Sequence, residues 1–367
     1  MEKKDKESLF KIVDWYIIRK YLSTFFLAIS LLLLIIIVFD ISEKIDDFID
    51  NKAPLFDIIF VYYLNFIPYF VNLFSPLFAF IAVVFFTSRM SFNSEIIAMM
   101  SNGISFRRML RPYMFSAVIL AMMSLVLANF IIPRVNVNRL GFEKQYVNSP
   151  KFNIGFNIHV QISPGTYAYA ESFDVHSNSG YRFSLIKTSS EGLIFKLDAQ
   201  RFSYDTATSK WTFDDYFIRH INGKRETIKT GQQLKTKINM LPEDFNTMAV
   251  DVEVMNFSEL RHFIRKEKLK GTDLVKFYQV EEQTRMAYPF ATIILTLIGA
   301  VTSSRKLRGG IGIHLGIGLL ISFSFILIMK ISTVFATSGG LSPAVAVWFP
   351  DFIFAILAVI LVKKSQS

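Results

Sequence analysis

The sequence predicts an α-helical polytopic membrane protein with six transmembrane helices and an inserted all-β domain. Two observations carry this. Six long apolar runs occur in 367 residues, with a mean hydropathy of +0.38. They are split three and three by about 150 polar residues, in which the apolar period shortens to two, as in strands.

The runs are Tyr21–Phe39, Ile58–Ser88, Pro112–Pro133, Met286–Ser304, Gly309–Met329 and Leu341–Val362. A hydrocarbon core of about 30 Å takes roughly 20 helical residues, so each run can cross it. Six such runs in so short a chain argue against the buried helices of a soluble protein. The first run is too long for a cleaved secretory signal and lacks a small-residue cleavage site, so it reads as a retained helix.

Cysteine is absent, which excludes disulfides, thiolate metal sites and cysteine nucleophiles. The five histidines (His159, His176, His220, His262 and His314) are too dispersed for metal-ligand spacing. A net charge of +10 would suit nucleic acid, but the positions of the charges point to a membrane. Basic residues cluster before the first run (Lys3, Lys4, Lys6, Lys11, Arg19, Lys20) and between the second and third (Arg89, Arg107, Arg108, Arg111). They cluster again between the fourth and fifth (Arg305, Lys306, Arg308) and at the end (Lys363, Lys364). All these fall on one side of a six-span topology, while the first loop of the other side is acidic (Asp40, Glu43, Asp46, Asp47, Asp50). Short basic loops stay cytoplasmic. Both termini are therefore expected inside, and the insert, whose length frees it from the rule, outside.

Within the insert, Phe156, Ile158, Val160 and Ile162 alternate with Asn157, His159 and Gln161. Further strands are predicted at Tyr167–Phe173, Tyr181–Ile186, Leu193–Ala199, Trp211–Arg219 and Glu226–Lys229. Turn signals separate them at Ser163-Pro164-Gly165, Asn178-Ser179-Gly180, Glu191-Gly192 and Asn222-Gly223, the last a strong hairpin signal. Such spacing suggests an antiparallel sandwich or barrel. A return helix comes next, Glu259–Lys270, with Ser258 as N-cap, Gly271 as its end and Thr272 capping the next helix. The expected division is 1–139, 140–255 and 256–367.

Between the second and third runs, Asn93 or Ser91 can cap a helix near Ser94–Ser101, and Gly103 can end it in the left-handed conformation. Ser105 can cap the next helix. About two turns are marginal alone, so Ile96, Ile97, Met99 and Met100 need cover, from the rest of the chain or from a partner. Glu95 in the first turn also suits the helix dipole. No phosphate-binding G-x-x-x-x-G-K-[ST] loop occurs, so any ATP-driven work falls to another chain. Gly312 and Gly316 have the small-xxx-small spacing of close helix packing.

Lys330 extends the fifth run and Asp351 interrupts the sixth, 10 residues before and 11 after Gly340. At 1.5 Å per residue the hairpin brings both to similar depth. Charges there need a partner or a wet cavity, and an intramembrane Lys330–Asp351 ion pair is expected, with Lys330 also free to meet an anionic headgroup.

The order of these parts resembles the LptF/LptG (YjgP/YjgQ) lipopolysaccharide-export permeases. The resemblance rests on Val13-Asp14-Trp15-Tyr16-Ile17, on Ser94-Glu95-Ile96-Ile97-Ala98 through Ser101-Asn102-Gly103-Ile104-Ser105, on Tyr288-Pro289-Phe290 with Leu297-Ile298-Gly299-Ala300, and on Trp348-Phe349-Pro350. It implies a periplasmic β-jellyroll and an ABC transporter permease in the inner membrane of a Gram-negative bacterium. The implied partners are a second homologous permease, a dimeric cytoplasmic ABC ATPase that uses ATP and Mg, a bitopic β-jellyroll partner and a periplasmic bridge protein. The cargo implied is lipopolysaccharide, with no enzymatic activity, bound cofactor or metal in this chain. Glu95, Met99, Met100 and Gly103 would couple to the ATPase. Helices 1 and 5 would form a lateral gate for the lipid. The candidate cations for the headgroup are Lys44, Arg134, Arg139, Arg285 and Lys330. The competing functions are export of another lipid or of lipoproteins, and a membrane-anchored envelope sensor.

Overall fold

The computed structural model describes residues 11–147, 154–174, 177–189, 192–206, 208–223, 225–245, 250–270, 274–305, 310–338 and 340–365. The predicted Gly271 end and Thr272 cap lie outside them. Two compact units emerge: residues 1–142, 254–257 and 276–367, and residues 143–253 and 258–275.

The first unit is a helical bundle. Its six long apolar helical segments are α1 (Ile12–Asp50), a π-helical turn leading into α2 (Leu64–Phe92), α4 (Phe106–Val126) continued through a second π turn into α5 (Ile132–Tyr146), α8 (Val275–Ser303), α9 (Gly310–Thr337) and α10 (Pro343–Lys364). The short α3 (Glu95–Ser101) links α2 to α4. Pro76, Pro112, Pro289 and Pro350 lie inside these helices; such prolines are tolerated where neighbouring helices satisfy the freed backbone. The predicted Ser105 cap is made, its Oγ accepting from Arg108 N–H at 3.3 Å, and a cap the sequence reading did not name forms at Ser342, whose Oγ accepts from Val345 N–H at 3.4 Å.

The packing sits on α2. Lipid tails are as apolar as side chains, so helices associate by close fit rather than by exclusion of water. A Cβ on Gly299 would come within 2.4 Å of Val83, and one on Gly318 within 3.2 Å of Val84. Gly312 and Gly316, the expected contact pair, meet nothing within 4 Å. That expectation is corrected: the close approaches fall at Gly299 and Gly318. Tyr21 on α1 shares a 2.6 Å hydrogen bond with Thr296 on α8, both buried.

The second unit holds one antiparallel sheet in the order β1-β2-β3-β4-β5-β6. Its strands are β1 (Ile154–Ser163), β2 (Thr166–Asp174), β3 (Ser179–Ser189), β4 (Gly192–Asp205), β5 (Lys210–Asn222) and β6 (Arg225–Thr236). Each strand pairs with its neighbour in sequence, so the connectivity among the described strands is an up-and-down meander. The Greek-key crossover of a jellyroll is not among them. Tight turns favour this order; Ser163 pairs with Thr166 around Pro164-Gly165. After the sheet come the short α6 (Val250–Val254) and the return helix α7 (Phe257–Lys270). α7 thus opens at Phe257, one residue before the expected cap Ser258.

A crease crosses the sheet. Regular pairing skips one residue in every strand at the same level: Asn157, Glu171, Arg182, Gln200, Asp215 and Gln232. Register is the same on both sides, but inward positions shift from two residues apart to three, as from Ala170 to Phe173 and from Ala199 to Phe202. Arg182 and Asp215 take left-handed backbone there, at φ 50° and 51°. Most of the aromatic core lies on one side of the crease, where Phe173, Phe202, Trp211, Phe213 and Phe245 are buried together, and Phe183 joins it from the other side. The segment after β6 seals it, with Trp211 Nε1–H donating to Met240 O at 2.9 Å.

Candidate functional site

One candidate site is the elbow around α3. Its helix starts at Glu95 from Ser94, which adopts left-handed backbone (φ 62°) and makes no side-chain cap bond. The expected caps from Asn93 or Ser91 are therefore not made. The other end is a Schellman motif: Gly103 N–H donates to Met100 O at 3.0 Å and Ile104 N–H to Met99 O at 3.2 Å. Gly103 sits at φ +83° with open space around it, so the backbone angle, not a tight contact, calls for glycine.

Buried Ile96 and partly buried Met99 seat α3 on the bundle core. The other face does not find cover: Phe92, Ile97 and Met100 are 57%, 53% and 48% exposed. Glu95 lies at the rim with both oxygens engaged. Tyr16 Oη–H donates to Oε2 at 3.0 Å, and Asn93 Nδ2–H to Oε1 at 3.3 Å. Alongside, Arg108 on α4 grips Asp14 on α1, its Nη1–H donating to Oδ1 at 2.7 Å, and Lys11 N–H donates to Asp14 Oδ2 at 2.8 Å. Asp14 is buried. Tyr16, Asn93, Asp14 and Arg108 were not among the expected site residues; Asp14 and Tyr16 lie in the quoted helix-1 stretch, but partners 94 and 79 residues away leave no local signal.

At the other end of the bundle, the five candidate cations divide. Lys44 bridges to Asp40 at 2.9 Å, bonds Tyr62 Oη and lies over the Tyr62 ring. Arg139 is buried over the Tyr69 ring, 5.0 Å from its centroid. Arg285 is buried too, donating to Glu281 at 3.0 Å and to Met255 O at 2.7 Å. These three hold the bundle together. Arg134 and Lys330 are exposed and make no ion pair among the described residues.

Lys330 does not pair with Asp351, which corrects the expected intramembrane bridge. The contacts Phe325–Phe354 and Ser332 Oγ–Ala346 O fix the α9–α10 register. They place the two charges within about one turn in depth, at 1.5 Å per residue. Azimuth separates them. Phe325 and Ser332 face α10, and at 3.6 residues per turn Lys330 lies roughly 140–160° around from both. Asp351 is buried, with Oδ2 making no hydrogen bond among the described residues. Lys330 instead borders a 280 Å³ cavity between α2, α8 and α9. Leu77, Leu295, Phe325 and Met329 make its wall apolar, and Tyr288 adds the one ring hydroxyl. This is a lining for hydrocarbon with one cation at its edge.

Exposure also differs among the helices. Of the most apolar stretch, 17% is buried in α1 and 22% in α9, against 61% in α8. The first and fifth spans thus offer the barest apolar flanks.

The family model described as "Lipopolysaccharide export system permease LptF/LptG" matches residues 15–364. No curated protein matches the chain.

Proposed function

The chain belongs to the LptF/LptG family of inner-membrane transport permeases, and from that premise we propose that it is one subunit of an ATP-driven exporter of lipopolysaccharide. The elbow is the observation that carries the reading. A two-turn helix is anchored by Ile96 while Phe92, Ile97 and Met100 stand out as an apolar patch, which is what a docking helix needs. A dimeric ABC ATPase would cover that patch from the cytoplasm and hydrolyse ATP with Mg. The basic short loops support a topology with both termini inside and the sheet in the periplasm.

A second homologous permease would face the bare flanks of α1 and α9, leaving a lateral path for lipid between them. The cavity beside Lys330 would take an acyl chain, with Lys330, and Arg134 nearer the end of α4–α5, attracting headgroup phosphate. The sheet would pass cargo towards a bitopic β-domain partner and a periplasmic bridge.

Gentle solubilisation, capture of the chain and mass spectrometry of its copurifying proteins and lipids test the reading. The expected companions are an ABC ATPase, a second permease and lipopolysaccharide. A triacylated lipoprotein in place of lipopolysaccharide reassigns the cargo, and a complex without any ATPase overturns the reading.

A further inference from the structure

We infer that the face of the sheet opposite its aromatic core carries a saccharide-binding groove at the crease. The groove encloses 480 Å³, within the roughly 300–1,000 Å³ range of small-ligand sites. Register places Tyr169, Ser184, Asp198 and Phe217 side by side on four successive strands. Three steps of about 4.8 Å make this row about 14 Å long, with an aromatic ring at each end and polar groups between. Arg182, Gln200 and Asp215 form the second wall. They are crease residues, and the crease itself turns two successive side chains outward in β2, β3, β4 and β5.

Hydrogen-bonding capacity is left over here. Ser184 Oγ is buried and makes no hydrogen bond among the described residues, and Gln200 and Asp215 make none either. Two non-glycine residues held at positive φ in one groove are a cost that binding sites commonly carry. Charge narrows the ligand. Arg182 is matched by Glu171 at 3.0 Å and Asp198 by Lys196 at 2.8 Å, which leaves Asp215 as the net charge. A phosphate or carboxylate would meet repulsion. A ligand with vicinal hydroxyls and an apolar ring face meets acceptors at Asp215 and Ser184, an amide at Gln200 and ring faces at Tyr169 and Phe217. That is the chemistry of a neutral or amino sugar.

The test uses the full chain in detergent, with binding tracked by calorimetry and saturation-transfer NMR. One probe is the oligosaccharide freed from lipopolysaccharide by mild acid, then dephosphorylated and carboxyl-reduced so that it is uncharged or amino only; the other is maltoheptaose. The choice of the first probe alone rests on the proposed cargo. Gln200→Ala and Asp215→Asn should each weaken binding at least tenfold with an unchanged melting midpoint, while Lys235→Ala leaves it alone. Binding of the first probe assigns the site to the exported glycolipid's own sugars, and binding of maltoheptaose alone assigns it to another glycan. Binding of neither, or binding indifferent to both groove variants, overturns the inference. Both probes lack lipid, so that outcome leaves the lipid-export reading standing.

Discussion

Asp14 holds Arg108 and Glu95 holds Tyr16 and Asn93 at the elbow end of the bundle, while Phe92, Ile97 and Met100 are left uncovered. At the opposite end the balance reverses. Phe66 and Phe142 both pack on Tyr62, three of five candidate cations are neutralised or stacked, and the leftovers are Lys330 and Arg134. What an end leaves unsatisfied indicates what it meets. Leftover apolar surface beside locked charges suits a protein partner. A leftover cation on the edge of an apolar cavity suits an anionic amphiphile.

The largest effect expected from breaking this contrast is Asp14→Ala. It strips Arg108 of a two-pronged partner and α1 of its Lys11 cap bond. A cost of roughly 2–3 kcal/mol fits the loss of charged hydrogen bonds. Thermal unfolding in detergent reads it, and the Asp14→Ala/Arg108→Ala double variant should lose less than the sum. Additive losses would show that the pair does not lock the elbow.

Ile97→Asp combined with Met100→Asp comes next. Both side chains point away from the core, so stability should stay within about 0.5 kcal/mol. ATPase recovered with the chain should drop at least tenfold, while bound lipid is retained. Lys330→Ala should do the reverse: about a fivefold loss of retained lipopolysaccharide, equivalent to roughly 1 kcal/mol, with ATPase recovery unchanged. If either variant moved both quantities together, the division of labour between the two ends would fail.

The contrast was only half legible in the sequence. Span number and order come from length and hydropathy, because a bilayer sets a minimum run and nothing else in the chain meets it. Depth along a hairpin was legible for the same reason: counting from Gly340 placed Lys330 and Asp351 within about a turn of each other. Azimuth was not, because apolar residues ring α9 almost completely and no polar face marks its orientation. The strands behaved similarly. β4 was expected to stop at Ala199, where alternation breaks, yet it runs to Asp205. The break is the crease, and only the matching breaks in the neighbouring strands distinguish a fold line from a strand end. β6 was expected over Glu226–Lys229 and spans Arg225–Thr236, since a strand exposed on both faces carries no alternation to read.

Glu95 is where the elbow reading can be sharpened most finely. Its carboxylate was expected to face a partner, and the structure shows it already holding α1 through Tyr16 Oη. Removing Glu95 would therefore mix two effects, a lost external contact and a loosened helix. Tyr16→Phe separates them, because it deletes one hydroxyl and leaves the carboxylate in place. The stability change should be small, about 0.5–1 kcal/mol for one partly exposed hydrogen bond. ATPase association should stay close to that of the unaltered chain, while the rate of stimulated transport falls in reconstituted vesicles if α1 relays the elbow's motion. Should Tyr16→Phe reproduce the whole effect of Glu95→Ala on association, Glu95 acts by positioning α3. Should it leave association and transport both untouched, the Tyr16 link is dispensable and the carboxylate works on the partner directly.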